Sequence, residues 1–139
     1  MAILKIANSK ALPRKCIEYN MNEDKCVASD TILLSHGIPY HVQFMQTAKI
    51  YGKYEGKDER KYYNIKMSFD PKNNIANGGK MTPNAALDIA RDFAVKSFPG
   101  HEVVLSIHND KPHLHAHILL NAINLETGKS LHLNDGQVR

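Results

Sequence analysis

The chain has 139 residues, of which 42% are hydrophobic, 23% charged and 7% aromatic, with no Trp; this fits one folded domain and excludes a collagen-like, mucin-like or wholly disordered chain. No apolar run approaches the roughly 18–20 residues of a bilayer span, and the opening Met1-Ala-Ile-Leu-Lys-Ile6 lacks the basic and long apolar regions of a secretory signal. Cys16 and Cys26 therefore read as free thiols of a cytoplasmic protein, and a net charge of +4 permits a phosphate-bearing partner without requiring one.

Ala2 to Ala7 reads as a short strand. Pro13 stands where a helix start tolerates it, so Arg14 to Asn22 reads as a short helix. Ile32 to Leu34 reads as a buried strand fragment that ends at Gly37-Ile38-Pro39. Val42, Met45, Ala48 and Tyr51 recur at helical spacing and predict a helix over 42–51. The mixed-charge stretch Lys53 to Lys61 reads as a loop. From Tyr62 to Phe69 the chain alternates, with Tyr63, Ile65, Met67 and Phe69 on one side of a half-buried strand. Asp70 to Lys80 holds several Asn and the Gly78-Gly79 pair, a long surface loop of the kind that often carries function. Thr82-Pro83 is a helix start, with Ala86, Ile89, Ala90, Phe93 and Ala94 forming an apolar stripe. Pro99-Gly100 ends that helix.

Eight histidines occur, and five of them fall between His101 and His117. Glu102 to His108 and His113 to Ile123 both alternate as strands, joined by Asn109-Asp110-Lys111-Pro112. Strand period places His113, His115, His117 and Asn121 on one face, with Leu114, Ala116, Ile118 and Leu120 on the other. A hairpin with four loop residues sets His108 opposite His113 and Ser106 opposite His115. Neighbouring side chains on one sheet face lie about 5–8 Å apart, close enough for imidazoles to converge on one ion. A single strand His is usually a surface or hydrogen-bonded residue, and an unstructured His tract is usually a scavenger or tag. Four on one face, interleaved with residues that must pack, point instead to a metal site with open coordination positions. Spacing alone does not select three ligands from the four.

The segment His108-Asn-Asp-Lys-Pro-His-Leu-His-Ala-His117-Ile-Leu-Leu-Asn121 resembles the H-x-D, P-H-x-H-x-H and downstream Asn of relaxases. These are the mobilisation nucleases of the HUH endonuclease superfamily. Tyr19-Asn-Met-Asn-Glu-Asp-Lys25 is similar to that family's N-terminal Tyr, Asn and Lys segment, and Met67-Ser68-Phe69 and Glu126-Thr-Gly-Lys129 are weaker matches. The resemblance implies an α/β (α+β) fold: a central antiparallel sheet carries the histidine hairpin, and helices pack on the opposite face. It implies His108, His115 and His117 as ligands of a divalent metal, Mg²⁺ or Mn²⁺, and Asp110 as a residue orienting a ligand imidazole. His113 falls at a variable position and is left as a neighbour. Tyr19 is implied as the nucleophile; a phenol of pKa near ~10 needs activation at neutral pH.

The activity so implied is site- and strand-specific DNA nicking and strand transfer at an origin of transfer, through a 5′-phosphotyrosyl link. The implied setting is the bacterial cytoplasm, with single-stranded DNA, accessory relaxosome proteins and a coupling protein as partners. Lys25, Asn121, Arg14 and Lys66 are the expected DNA contacts, and residues 1–139 read as the catalytic front of a longer protein. Asn64 stands where the family often has a His, and Cys26 where it often has Thr. Two other readings are carried: a rolling-circle replication initiator, and a non-catalytic metal-containing DNA-binding module. No Tyr follows Tyr63, which disfavours an initiator with its nucleophile after the histidines.

Overall fold

Strand alternation organises the molecule. In a computed structural model that describes residues 3–9, 11–22, 24–54 and 59–133, five strands form one antiparallel sheet. They are β1 (Ile3–Ser9), β2 (Cys26–Ile32), β3 (Tyr62–Ser68), β4 (Val103–His108) and β5 (His115–Asn121), in the order β1-β3-β5-β4-β2. Three α-helices, α1 (Arg14–Asn20), α2 (Tyr40–Ile50) and α3 (Pro83–Ser97), and two short 3-10 turns, Pro71–Asn73 and Ile75–Asn77 in the Asn-rich loop, complete the described elements. Ala2 and residues 55–58 of the charged loop lie outside the described residues.

Tyr63, Ile65 and Met67 of β3 share one face with Leu105 and Ile107 of β4 and Ala116, Ile118 and Leu120 of β5. That face buries Ala86, Ala90 and Ala94 of α3. The alanines lack bulk beyond Cβ, so the helix backbone approaches the sheet closely. Thr82 caps α3 by accepting the Ala85 N–H, and Pro83 occupies the first turn, as the sequence predicts. Ile89, expected in the apolar stripe, is 44% exposed, while Leu87 and Phe93 pack at the core's edge.

The antiparallel sheet with a helix opposite the histidines matches the expectation. The histidine face is not bare, however. Val104, Leu119 and Tyr62 on that face bury Ile17 of α1 and Phe44 of α2. Those side chains stand on the alternate positions of the same central strands, and apolar groups there need cover as much as those on the other side do.

Two sequence expectations change. The strand predicted at Ile32 to Leu34 is instead β2, Cys26–Ile32; Leu33 has φ +59 and is half exposed, so the strand ends before it. The hairpin closes with six loop residues, not four, pairing His108 with His115 and Ser106 with His117. Pro112 has no N–H for a ladder. The Leu114 carbonyl accepts from Phe69 N–H across the sheet (3.0 Å), so the chain leaves the β4 register until His115. His113 is therefore outside the strand.

The Asn-rich loop supports that hairpin. Asn74 is buried and donates to the Pro112 carbonyl (3.0 Å), and Asn77 donates to the same oxygen (2.7 Å). A Cβ on Gly79 would collide with the Asn73 backbone, which explains a glycine there. The Asn-rich loop thus has two of its amides committed to the loop that follows His108.

Candidate metal centre

His108 ends β4, and His115 and His117 open β5. Because His108 pairs with His115, and Ser106 with His117, the three imidazoles occupy adjoining positions on one face. His108, His115 and His117 are all buried, and one ligand nitrogen from each lies within 4.8 Å of the others. The His108 and His117 ring centroids are 4.4 Å apart, and those of His115 and His117 5.3 Å. His113 is 5.5 Å from His115, centroid to centroid, but does not join the buried group.

The hydrogen bonds around the cluster leave it incomplete. His108 Nε2 lies 2.7 Å from the Asn20 carbonyl. A carbonyl only accepts, so Nε2 carries the proton and the His108 lone pair is on Nδ1. His115 Nε2 lies 3.5 Å from Asp110 Oδ1, an electrostatic contact rather than a short hydrogen bond. The Nδ1 atoms of His115 and His117 are buried without a partner among the described residues. So are Ser106 Oγ, whose residue pairs with His117, and Asn20 Oδ1. Orphaned buried nitrogens cost free energy unless something outside the protein satisfies them.

Charge tells the same story. Burial, with Lys66 and His108 adding, pulls His115 down to about 4. Burial, with His108 and His115 adding, pulls His117 down to about 3. Both imidazoles are therefore neutral at pH 7, the form that ligates a metal. Burial alone would raise the Asp110 carboxyl; its own backbone N–H, His115, Lys25 and His108 outweigh that and hold it below the ordinary carboxylate range. Buried and mutually adjacent, with the Nδ1 atoms of His115 and His117 unsatisfied, the three imidazoles fit a cation.

Tyr19 is the tyrosine beside this cluster. Its ring meets His108 edge-on at 6.4 Å, and it is 53% exposed. The other five tyrosines are engaged elsewhere: Tyr51, Tyr54 and Tyr63 donate to the carbonyls of Leu125, Lys61 and Leu131, and Tyr40 and Tyr62 pack in the smaller core. Lys25 Nζ donates to Tyr19 Oη at 3.1 Å. Lys66, half-buried, pairs with His117 across β3 and β5 and with Lys5 across β1. An open cleft of about 470 Å³ on this side is lined by Lys5, Lys66, Ser68, Asp70 and His113 among others.

Two expected DNA contacts do not join the site. Arg14, on α1, is held at the surface by Glu18 at 2.9 Å. Asn121 is fully buried: its Nδ2 donates to the Phe44 carbonyl and to Glu102, and its Oδ1 accepts from Tyr54 and Ile123 N–H. No group of that amide remains for DNA. The sequence reading missed Asn20, because its part is played by a backbone carbonyl that any residue supplies. Its position one residue after Tyr19 was the available signal.

Among the described residues no helix is long and apolar enough to cross a membrane. Residues 19–139 match the family model for relaxases, described as the MobA/VirD2-like nuclease domain. Two relatives called Protein rlx, from Staphylococcus aureus, are each 32% identical; one matches over 99% of this chain and 39% of its own length, the other over 96% and 36%. The chain thus spans under half the length of the curated relatives it matches. A solved structure reported as "Molecular Basis of Vancomycin Resistance Transfer in Staphylococcus aureus" has the same fold, with TM-score 0.61 at 15% identity over 99% of this chain and 78% of that one. By its match from Tyr19 onward, and with the three-histidine cluster on its central strands, the chain belongs to the MobA/VirD2-like relaxase nuclease family.

Proposed function

We propose that this chain nicks single-stranded DNA at one phosphodiester, using Tyr19 as nucleophile beside a divalent ion held by His108, His115 and His117. The observation that carries the reading is the half-exposed tyrosine standing edge-on to a buried, unsatisfied histidine cluster. When bound, the ion supplies positive charge to a phosphate oxygen as negative charge builds in the transition state. Of the two expected metals, Mn²⁺ suits a set of neutral imidazoles better than Mg²⁺, which prefers oxygen donors.

The protein's own groups do the rest. Asn20 fixes the His108 proton on Nε2, and Asp110 biases the His115 ring by its nearby carboxylate. Lys66 and Lys5 offer positive charge to the DNA backbone along the cleft that flanks the histidines. Tyr19 Oη forms a bond to phosphorus while the bond from phosphorus to the 3′-oxygen breaks. The phenol proton leaves to solvent, and the 3′-oxygen takes one up. The phosphotyrosyl link keeps the diester's energy, so a 3′-hydroxyl can later attack it and rejoin a strand. Such chemistry suits the start of conjugative transfer from an origin of transfer in the bacterial cytoplasm, with relaxosome and coupling proteins as partners.

A labelled pool of random-sequence single-stranded oligonucleotides, incubated with the protein and Mn²⁺, tests this on a denaturing gel. The expected result is a protein-linked DNA band that disappears with chelator and with Tyr19→Phe. A band that survives Tyr19→Phe would assign the nucleophile elsewhere. Stoichiometric metal binding without any DNA adduct would favour the non-catalytic binding module.

A further inference from the structure

Lys25 aims its ammonium at Tyr19. Its backbone is fixed at both ends. Lys25 N–H donates to the Asn22 carbonyl in the turn after α1, and the Lys25 carbonyl accepts from Asn109 N–H, the residue after His108. Cys26, next in sequence, pairs with His108 in the β2–β4 ladder. The side chain thus leaves a rigid anchor tied to the metal hairpin. Its Nζ then makes two contacts with one partner: 3.1 Å to Tyr19 Oη, and 4.6 Å to the centroid of the Tyr19 ring.

Tyr19 needs such a constraint. It is 53% exposed and emerges from a helix of 7 residues, too short to be stable without tertiary contacts. The described contacts on its side chain are the edge of His108 and the ammonium of Lys25. From the double contact we infer that Lys25 is a positioning residue for the nucleophile: its ammonium clamps the Tyr19 phenol beside the histidine cluster and places positive charge at the attacking oxygen. This rests on Tyr19 as nucleophile, and it removes Lys25 from the expected DNA contacts.

The chemistry constrains the role. A charged ammonium has three donors and no lone pair, so Lys25 does not accept the phenol proton, which leaves to solvent. What it supplies is orientation of the oxygen and charge complementarity to the phenolate that attacks phosphorus. The raised pKa of Lys25, due first to the Tyr19 hydrogen bond, accords with an ammonium that stays charged throughout. Misplacement of a reacting atom by about 1 Å costs on the order of 10²-fold in rate.

The test separates rate from affinity. Single-turnover adduct formation at saturating oligonucleotide, taken from whichever sequences the wild-type protein links, is measured for Lys25→Met and Lys25→Arg. DNA affinity is measured for the same changes in the non-cleaving Tyr19→Phe background. The expected result is a rate loss of about 10- to 100-fold in Lys25→Met, partial recovery in Lys25→Arg, and affinity within about twofold of the Tyr19→Phe parent. An unchanged rate, or a rate loss that saturating DNA abolishes together with weakened affinity, overturns the proposal; the latter makes Lys25 a phosphate contact. Equal loss in Met and Arg variants also overturns it, since charge would then be irrelevant. If wild type and Tyr19→Phe link DNA equally well, the nucleophile reading fails first, and that outcome is visible before any Lys25 variant is made.

Discussion

One face of the central strands carries buried polar groups at both ends, and the two ends behave differently. At one end lie His108, His115 and His117 with Ser106; at the other lie Glu102, just before β4, and Asn121, the last residue of β5. Between them, Val104, Leu119 and Tyr62, covered by Ile17 and Phe44, form an apolar plug. The Asn121 end is closed. Its amide is satisfied by Phe44, Glu102, Tyr54 and Ile123, and the Tyr54 hydroxyl, 2.6 Å from each, shares its one proton between Asn121 Oδ1 and the Lys61 carbonyl. Burial, with Glu102 and Glu59 adding, pushes the Tyr54 phenol far above its ordinary range, so it remains a donor. The histidine end is open, with unpartnered Nδ1 atoms on His115 and His117. Burial of polar groups is common to both. What distinguishes a site from a structural network is whether the protein satisfies those groups itself.

The comparison breaks most sharply under His117→Ala. Removing one of three ligands is expected to weaken metal binding by more than about 100-fold and abolish the DNA adduct, while the metal-free protein still folds. Isothermal calorimetry with Mn²⁺ and a thermal melt in chelator check the two halves. Retained affinity would mean that the ion sits elsewhere.

Asn121→Ala attacks the closed end. Removing the amide orphans the buried Ile123 N–H and takes one hydrogen bond each from the Phe44 carbonyl and Glu102, which is expected to cost about 2–4 kcal/mol of stability in urea unfolding. Metal affinity of the folded fraction should not move, because the apolar plug separates the two ends. A loss of metal binding without a loss of stability would reverse the roles assigned here.

Acidification is the smallest effect, and it has opposite signs at the two ends. His115 and His117 fall from 6.5 to about 4 and about 3 on folding, chiefly through burial. Between pH 6.5 and about 3 the unfolded chain binds protons that the folded chain refuses, so their contribution is present above pH 6.5 and is lost as pH falls. Glu102 is raised above 4.5 by burial, against hydrogen bonds from Thr47 and Asn121. Its contribution is complete below pH 4.5 and is lost as pH rises through its folded value. In chelator, the urea midpoint of His117→Ala should therefore fall less steeply on acidification than wild type, and that of Glu102→Gln more steeply.

These ends were not equally legible in the sequence. The period-two pattern of β3, β4 and β5 states which side chains share a face, and a buried central strand has little freedom to depart from it. The histidine face follows directly. The hairpin register does not, because it was decided by Pro112, by the Leu114 carbonyl and by amides from the distant Asn74 and Asn77. Edge strand β2 lies ahead of the fragment expected at Ile32 to Leu34 for a related reason. It pairs on one side only, and Ser29, Asp30 and Thr31 give it no hydrophobic signature. Asn121 was misplaced because a strand position tells which face a residue occupies, not whether a helix covers that face. Here α2 covers it, and an exposed-looking amide becomes the centre of a closed network.

The central claim is that the open end is a nucleophile and a metal site acting together. Tandem mass spectrometry of the protease-digested DNA adduct tests it most directly. The account predicts a nucleotide joined through phosphate to Tyr19, formed with Mn²⁺ and absent with chelator. A link on any of the other five tyrosines, or a Tyr19 link that forms equally well in His117→Ala with chelator present, would contradict it.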